Sequence, residues 1–275
     1  MSDLTTRTRN TRRLRVGRRG IAPVVMAASV FAALVTGCTS NESSSPTTSA
    51  APPSQLPEGS QLVSECSKTT QTLQSVHMDL NVTNIPNLPM EKIDAGVTNQ
   101  PQGQGAAQGE AKIRTKPEAD FIEAKFLVVD KTLYALTDGS TYTKIGPAEK
   151  IYDPGVLLDK DKGLANVIAQ IKNAKAEGRE KIDGVDTVKV TGTISGSAID
   201  PIVPRAGEGI GELPITVWIK DVAPPTTSAT QLPSTAASPG TGPNLIRAIV
   251  KKDQGEIKLT LTDHGKPVNV LKPGS

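Results

Sequence analysis

The sequence predicts an α+β protein in which a curved antiparallel sheet wraps over a few helices. Three observations carry this. Many runs alternate apolar and polar residues with a period of two, the signature of strands with one face on a core. Short turns rich in Asp, Asn and Gly separate consecutive runs, which favours antiparallel neighbours over crossovers. Only a few stretches carry the helical period of 3.6. The apolar content is 36% but the aromatic content only 3%, so the core is built from Val, Ile, Leu and Ala. Small inward residues could leave an interior void; composition alone favours an ordinary filled core.

The first elements concern export. Arg7, Arg9, Arg12, Arg13, Arg15, Arg18 and Arg19 precede an apolar run at 21–34 that ends in Leu34-Val35-Thr36-Gly37-Cys38. A basic stretch, a short apolar run and a small-residue cleavage site make a secretory signal, not a membrane span. The cysteine directly after Val-Thr-Gly makes it a lipobox. In that chemistry the Cys38 thiol takes a diacylglycerol thioether, and a peptidase cuts before it. Residues 1–37 are therefore expected to be a lipoprotein signal peptide. Residues 38–57 are expected to be the acylated cysteine and a disordered Ser/Thr/Pro tether, spanning roughly 25 Å as a loose coil. The protein would be exported and lipid-anchored on the extracytoplasmic face of the cell membrane.

Residues 58–275 remain for a single domain. Seven Arg and one Asp precede Cys38, a balance of +6, so the rest of a +3 chain carries −3. That argues against nucleic acid as a partner. After Cys38 only Cys66 remains, so no disulfide can form within the domain.

In chain order, Leu62, Cys66, Thr69 and Leu73 share a helical face. Val76, Met78, Leu80 and Val82 alternate with polar residues as a strand. After a break at 85–89, Ile93, Ala95 and Val97 form a second strand. Ala107, Gly109, Ala111 and Ile113 form a third, with small residues on one side. Strands at 121–129 and 132–136 follow, and Asp138-Gly139 turns into another at 142–145. Leu164, Val167, Ile168 and Ile171 predict the clearest helix. Asp183-Gly184 joins strands at 174–182 and 185–194, and 198–203 reads as a short helical piece. Ile215, Val217 and Ile219 alternate again. Residues 222–243, rich in Pro, Ser and Thr, read as a disordered excursion. Strands resume at 245–250 and 256–261.

Catalytic patterns are scarce. His77 and His264 are the only histidines, and no Gly-x-Ser-x-Gly elbow accompanies them. Zinc-ligand spacing is absent. Gly103 to Gly109 misses the dinucleotide fingerprint by one residue and opens a strand instead of a helix. Asp159 to Gly163 resembles the start of a calcium loop without its later ligands. No cofactor and no metal are expected.

Several runs carry a resemblance: Ser75-Val76-His77-Met78, Val97-Thr98-Asn99-Gln100-Pro101, Gly146-Pro147-Ala148-Glu149-Lys150-Ile151-Tyr152-Asp153-Pro154, Lys162-Gly163-Leu164-Ala165-Asn166-Val167, Glu177-Gly178-Arg179 and Pro214-Ile215-Thr216-Val217-Trp218-Ile219. On these the chain resembles the mycobacterial LppX/LprA/LprF/LprG lipoproteins. The resemblance implies a half-barrel sheet folded around helices, similar to the LolA and LolB carriers. It also implies an apolar cavity for acyl chains of envelope lipids or glycolipids, and a carrier with no enzymatic activity. Expected partners are acylated lipids or glycolipids, the membrane through the anchor, and an envelope transporter or sensor protein. The family architecture sets a helix beneath the sheet. With the period of two on the third strand, that makes Ala111, Ile113, Val167, Ile168 and Ile171 the expected cavity lining. Two other readings stand beside the carrier: a signalling or scaffolding lipoprotein that binds a membrane protein, and an envelope hydrolase. Residues 222–243 have no counterpart in the resemblance.

Overall fold

The computed structural model describes residues 55–101, 105–114, 116, 118–136, 139–222 and 241–274. The expected signal peptide, Cys38 and the tether up to residue 54 lie outside these residues, as do 223–240 of the expected excursion. Gln55 already touches the body, its carbonyl accepting from Arg179 Nη2 at 3.4 Å, and Leu56 packs on the core.

Helix α1 (Gly59–Gln71) begins where the Glu58 carboxylate accepts the N–H groups of Ser60 and Gln61 at 3.0 and 2.7 Å, standing in for missing intrahelical partners. Its buried face comprises Leu62, Val63, Cys66, Ser67 and Thr70. Thr70, not Thr69, completes the stripe, because its hydroxyl donates to the Cys66 carbonyl at 2.8 Å and so enters the core satisfied. Leu73 is also buried but lies beyond the C-cap at Thr72.

Six strands follow as a meander: β1 (Ser75–Thr83), β2 (Met90–Thr98), β3 (Ala106–Ile113), β4 (Ile122–Val129), β5 (Thr132–Leu136) and β6 (Thr143–Pro147). Asp130 and Lys131 both take positive φ, the geometry of a two-residue hairpin whose twist matches its strands. Two 3₁₀ turns, Ala148–Lys150 and Pro154–Leu158, lead to α2 (Leu164–Ala169). The apolar period predicts that this helix includes Ile171. It ends sooner, with Gln170 as its C-cap and Lys172 opening the next strand; Ile171 packs on the core from the closing turn, its N–H donating to the Ile168 carbonyl at 3.1 Å.

The second meander is β7 (Lys172–Ile182), β8 (Val185–Ser195), the short α3 (Gly196–Ile199), β9 (Glu212–Lys220), β10 (Leu245–Lys252) and β11 (Gly255–Thr262). The predicted helical piece at 198–203 is displaced toward α3, and 200–209 forms successive turns instead.

All eleven strands form one antiparallel sheet, ordered β6-β5-β4-β3-β2-β1-β11-β10-β9-β8-β7. Every neighbour is also consecutive in sequence except β1 and β11, which pair from His77↔Thr262 to Thr83↔Glu256. The two meanders thus grow outward from a central seam, and the sheet stays open at β6 and β7. Helix α1 packs on α2, β7 and β9, so the helices cover the β7–β11 half. The 154–158 turn reaches β2 and β3, and no helix among the described residues packs over β4 and β5.

The strand ends on either side of residues 223–240 are adjacent, the Lys220 N–H donating to the Asn244 carbonyl at 2.9 Å. Gly242 is buried against Thr69 of α1 and belongs to the body. Deleting 223–240 and closing with a short Gly-containing turn should therefore shift the melting temperature by less than about 3 °C, since loop length alone costs little. A larger loss in a thermal melt would mean that the segment packs on the domain.

Candidate functional site

Where helix cover is missing, a cavity of about 140 Å³ opens between the sheet and the segments above it. Its floor is the inward face of three strands: Ala111 and Ile113 of β3, Ala124 and Phe126 of β4, Leu133 and Ala135 of β5. The period of two on each strand turns these residues one way and Lys112, Glu123 and Lys125 the other. Ala111 pairs directly with Ala124. Two adjacent alanines lower the floor there, so the space is a deficit of side chain, not a separation of backbones. The roof is Ile151, Tyr152 and Pro204. The Tyr152 hydroxyl donates to the Ile202 carbonyl at 3.2 Å, tying the two roof segments together. Burial pushes the Tyr152 phenol further up from its ordinary pKa, so it stays protonated.

Among the described residues, Arg114 is the charged side chain that borders this cavity. Its Nε and Nη2 donate to the Leu88 carbonyl at 3.1 and 3.0 Å, and its guanidinium lies 4.7 Å from the centre of the Phe121 ring. Ile151 is 48% exposed at the roof, and Ile122, paired with Ile113, is 45% exposed. Apolar side chains thus flank the cavity, with the Arg114 cation held beside them.

A second cavity, about 50 Å³, lies in the other half, bounded by Leu164 and Val167 of α2, by Ile199, Ile202 and Val203, and by strands that include Leu80 and Leu259. The structure therefore separates the five residues expected to line one cavity. Ala111 and Ile113 border the first cavity and Val167 the second. Ile168 is 2% exposed within packed core, and Ile171 packs at the core's margin. The lining residues of β4 and β5 carry the same alternation as β3 and were legible in it. Tyr152 and Pro204 sit in irregular segments that no periodicity marks.

The reactive side chains elsewhere are committed. Cys66 is fully buried, and burial pushes its thiol up to about 12, which leaves it inert at neutral pH. His77 Nε2 faces Asp94 at 3.2 Å on the solvent side. His264 Nε2 lies 2.9 Å from the Leu245 carbonyl, and burial lowers its pKa, favouring the neutral ring. A cavity lined mostly by apolar side chains takes apolar ligands at little desolvation cost.

Comparison with known proteins agrees with this architecture. The LppX_LprAFG lipoprotein family matches residues 58–270. LprF of Mycobacterium bovis, whose name makes it a candidate diacylated glycolipid transporter, is 45% identical over 256 residues, 92% of each chain. LprG of Mycolicibacterium smegmatis, named a lipoarabinomannan carrier protein, is 39% identical over 247 residues, 89% of this chain and 92% of that one. The crystal structure of M. bovis LprF matches with a TM-score of 0.70 at 45% identity, covering 80% of this chain and 100% of that one. The family match over residues 58–270 and the 45% identity to LprF, on the same open antiparallel architecture, make this chain a member of the LppX_LprAFG lipoprotein family.

Proposed function

We propose that this protein is a membrane-anchored, non-enzymatic carrier that takes acyl chains of envelope lipids or glycolipids into its cavity and moves them across the cell envelope. The observation that carries the reading is the cavity lined mostly by apolar side chains between β3–β5 and the segments above them. The names of LprF and LprG support the same class of cargo. Exposing an acyl chain of about fifteen methylenes to water costs roughly 12 kcal/mol at about 0.8 each. Unassisted transfer is correspondingly slow. An aliphatic interior replaces the membrane environment nearly isoenergetically, so both loading and release are feasible. At about 140 Å³ the cavity is smaller than the roughly 300–1,000 Å³ of sites for drug-sized ligands, so loading requires the roof at 151–152 and 204 to lift from β4 and β5.

The same small volume favours a second reading, a signalling or scaffolding lipoprotein whose domain binds a membrane protein. Mass spectrometry separates the two. The full chain carrying Cys38→Ala, purified after incubation with envelope lipid extract, should retain diacylated lipid near one equivalent. Recovery with no lipid would reject the carrier and leave the scaffold.

The anchor has its own test. Cys38→Ala should abolish fatty-acid labelling and leave the precursor uncut by the lipoprotein peptidase. Palmitate incorporation and detergent partitioning equal to the native chain would refute Cys38 as the acylated residue.

A further inference from the structure

Strand β4 carries an exception to its own alternation. Ala124, Phe126 and Val128 face inward, which turns Leu127 outward, between Gln108 of β3 and Tyr134 of β5. Leu127 is nevertheless only 8% exposed. An apolar side chain buried on the outer face implies a second layer there. The chain after β11 supplies it: Leu127 shares an outer hollow of about 500 Å³ with Tyr142, Pro267 and Val268. We propose that residues 263–272 are a strap, fixed at the β1–β11 seam and latched at the β4–β5 turn, that slows the parting of the cavity floor from its roof and so gates the entry and release of cargo. The proposal rests on the carrier reading above and adds the element that controls it.

The seam end is fixed. Asp263 and Gly265 take positive φ and bend the chain as it leaves β11. The Gly265 N–H donates to the Ser75 carbonyl at 2.8 Å, and the Ser75 hydroxyl donates to the Lys266 carbonyl at 2.6 Å. Ser75 opens β1 and is buried, so water competes little for these bonds. Beyond them the strap crosses β2 at Gly96. A side-chain carbon built on Gly96 would lie 3.1 Å from Val268 Cγ1, and its three nearest atoms all belong to Val268. The glycine thus leaves room for Val268 to lie directly on the strand.

The far end is a latch. Lys272 Nζ lies 3.2 Å from Asp130 Oδ2. Asp130 begins the β4–β5 turn, at a positive φ that Asp tolerates. That turn joins the strands that bring Phe126 and Leu133 to the cavity floor. A shift of β4 and β5 relative to β1 therefore parts Lys272 from Asp130 or lifts Val268 from Gly96.

The two ends differ in strength. Lys272 and Asp130 are both exposed, so their ion pair is weak and screened by salt. The latch opens readily while the seam end holds. Loading needs this combination, because β4 and β5 must part from the roof at 151–152 and 204 and then return.

The test uses the full chain carrying Cys38→Ala, with two variants that act at different points of the strap. Lys272→Glu sets two acids against each other at the latch. Gly96→Thr pushes on Val268 alone and suits a strand. In each, hydrogen exchange at 126–134 should rise about two- to fivefold, the size of an exposed ion pair's contribution. Exchange in β8 and β9 should stay as in the parent, and melting temperature reports that the variants are folded. Dissociation of cis-parinaric acid, a fluorescent fatty acid, should quicken by a similar factor. Lys272→Arg should match the parent in both measurements. Unchanged exchange at 126–134 in both variants would overturn the strap. Faster exchange with unchanged probe dissociation would overturn the gate. Failure of the parent chain to bind the probe would overturn the carrier reading instead, and hydrogen exchange would still decide whether the strap holds β4 and β5.

Discussion

Gly109→Val should strongly destabilise the domain. Gly109 sits in β3 opposite Ala95 of β2. A side-chain carbon built there would lie 2.0 Å from the Asp94 carbonyl oxygen and 2.7 Å from Ala95 Cα. These are backbone atoms, so no rotamer change relieves the clash. Strand β2 cannot retreat, because its other edge is paired with β1, Ala95 against Met78 and Asp94 against Asp79. The substitution must then break the β2–β3 ladder or tilt the β3–β6 half away from the seam. Either outcome costs about 3 kcal/mol or more, a large share of the roughly 5–15 kcal/mol that stabilises a domain. The readout is urea unfolding of the purified variant beside the native protein. A midpoint unchanged from native would show that β3 moves freely, and with it that the floor of the cavity is plastic.

Ala111→Trp should do the reverse, leaving stability nearly intact and removing cargo. Ala111 borders the cavity, and its cross-strand neighbour Ala124 is equally small. The indole can therefore project into space that no side chain occupies. Overpacking a filled core costs roughly 1–3 kcal/mol, whereas filling a void should shift the melting temperature by less than about 3 °C. Lipid recovered by mass spectrometry should fall at least about tenfold, because the ring stands where chains must lie. A stable variant that still carries lipid would remove Ala111 from the acyl path. A strongly destabilised one would mean that the space closes up in solution, and would weaken the carrier reading. Together the two variants divide β3 into a position that holds the sheet together and one that shapes its cargo.

Much of this fold is determined by the chain locally. Period-two alternation in Val76 to Val82 and Ile215 to Ile219, hairpin residues such as Asp183-Gly184, and the apolar stripe through Leu62 and Cys66 each need only a few neighbours to declare a strand, a turn or a helix. Those elements appear in the structure where the sequence sets them, apart from one to three residues at their ends. The lipobox at Cys38 is local in the same way and lies outside the described residues.

Tertiary structure alone decided the rest. The pairing of β1 with β11 joins segments about 180 residues apart, and nothing in either strand names its partner, because both edges of each offer the same backbone groups. The early end of α2, closed by the Ile171 N–H donating to the Ile168 carbonyl at 3.1 Å before β7 opens at Lys172, runs against an apolar period that would carry the helix on. The cavity is the furthest from the sequence. It is a shortfall of volume between a floor made shallow by Ala111 and Ala124 and a roof that no helix supplies. Each strand shows only its own alternation; whether the opposing layer fills the space depends on where the helices land, and they land on the other half of the sheet.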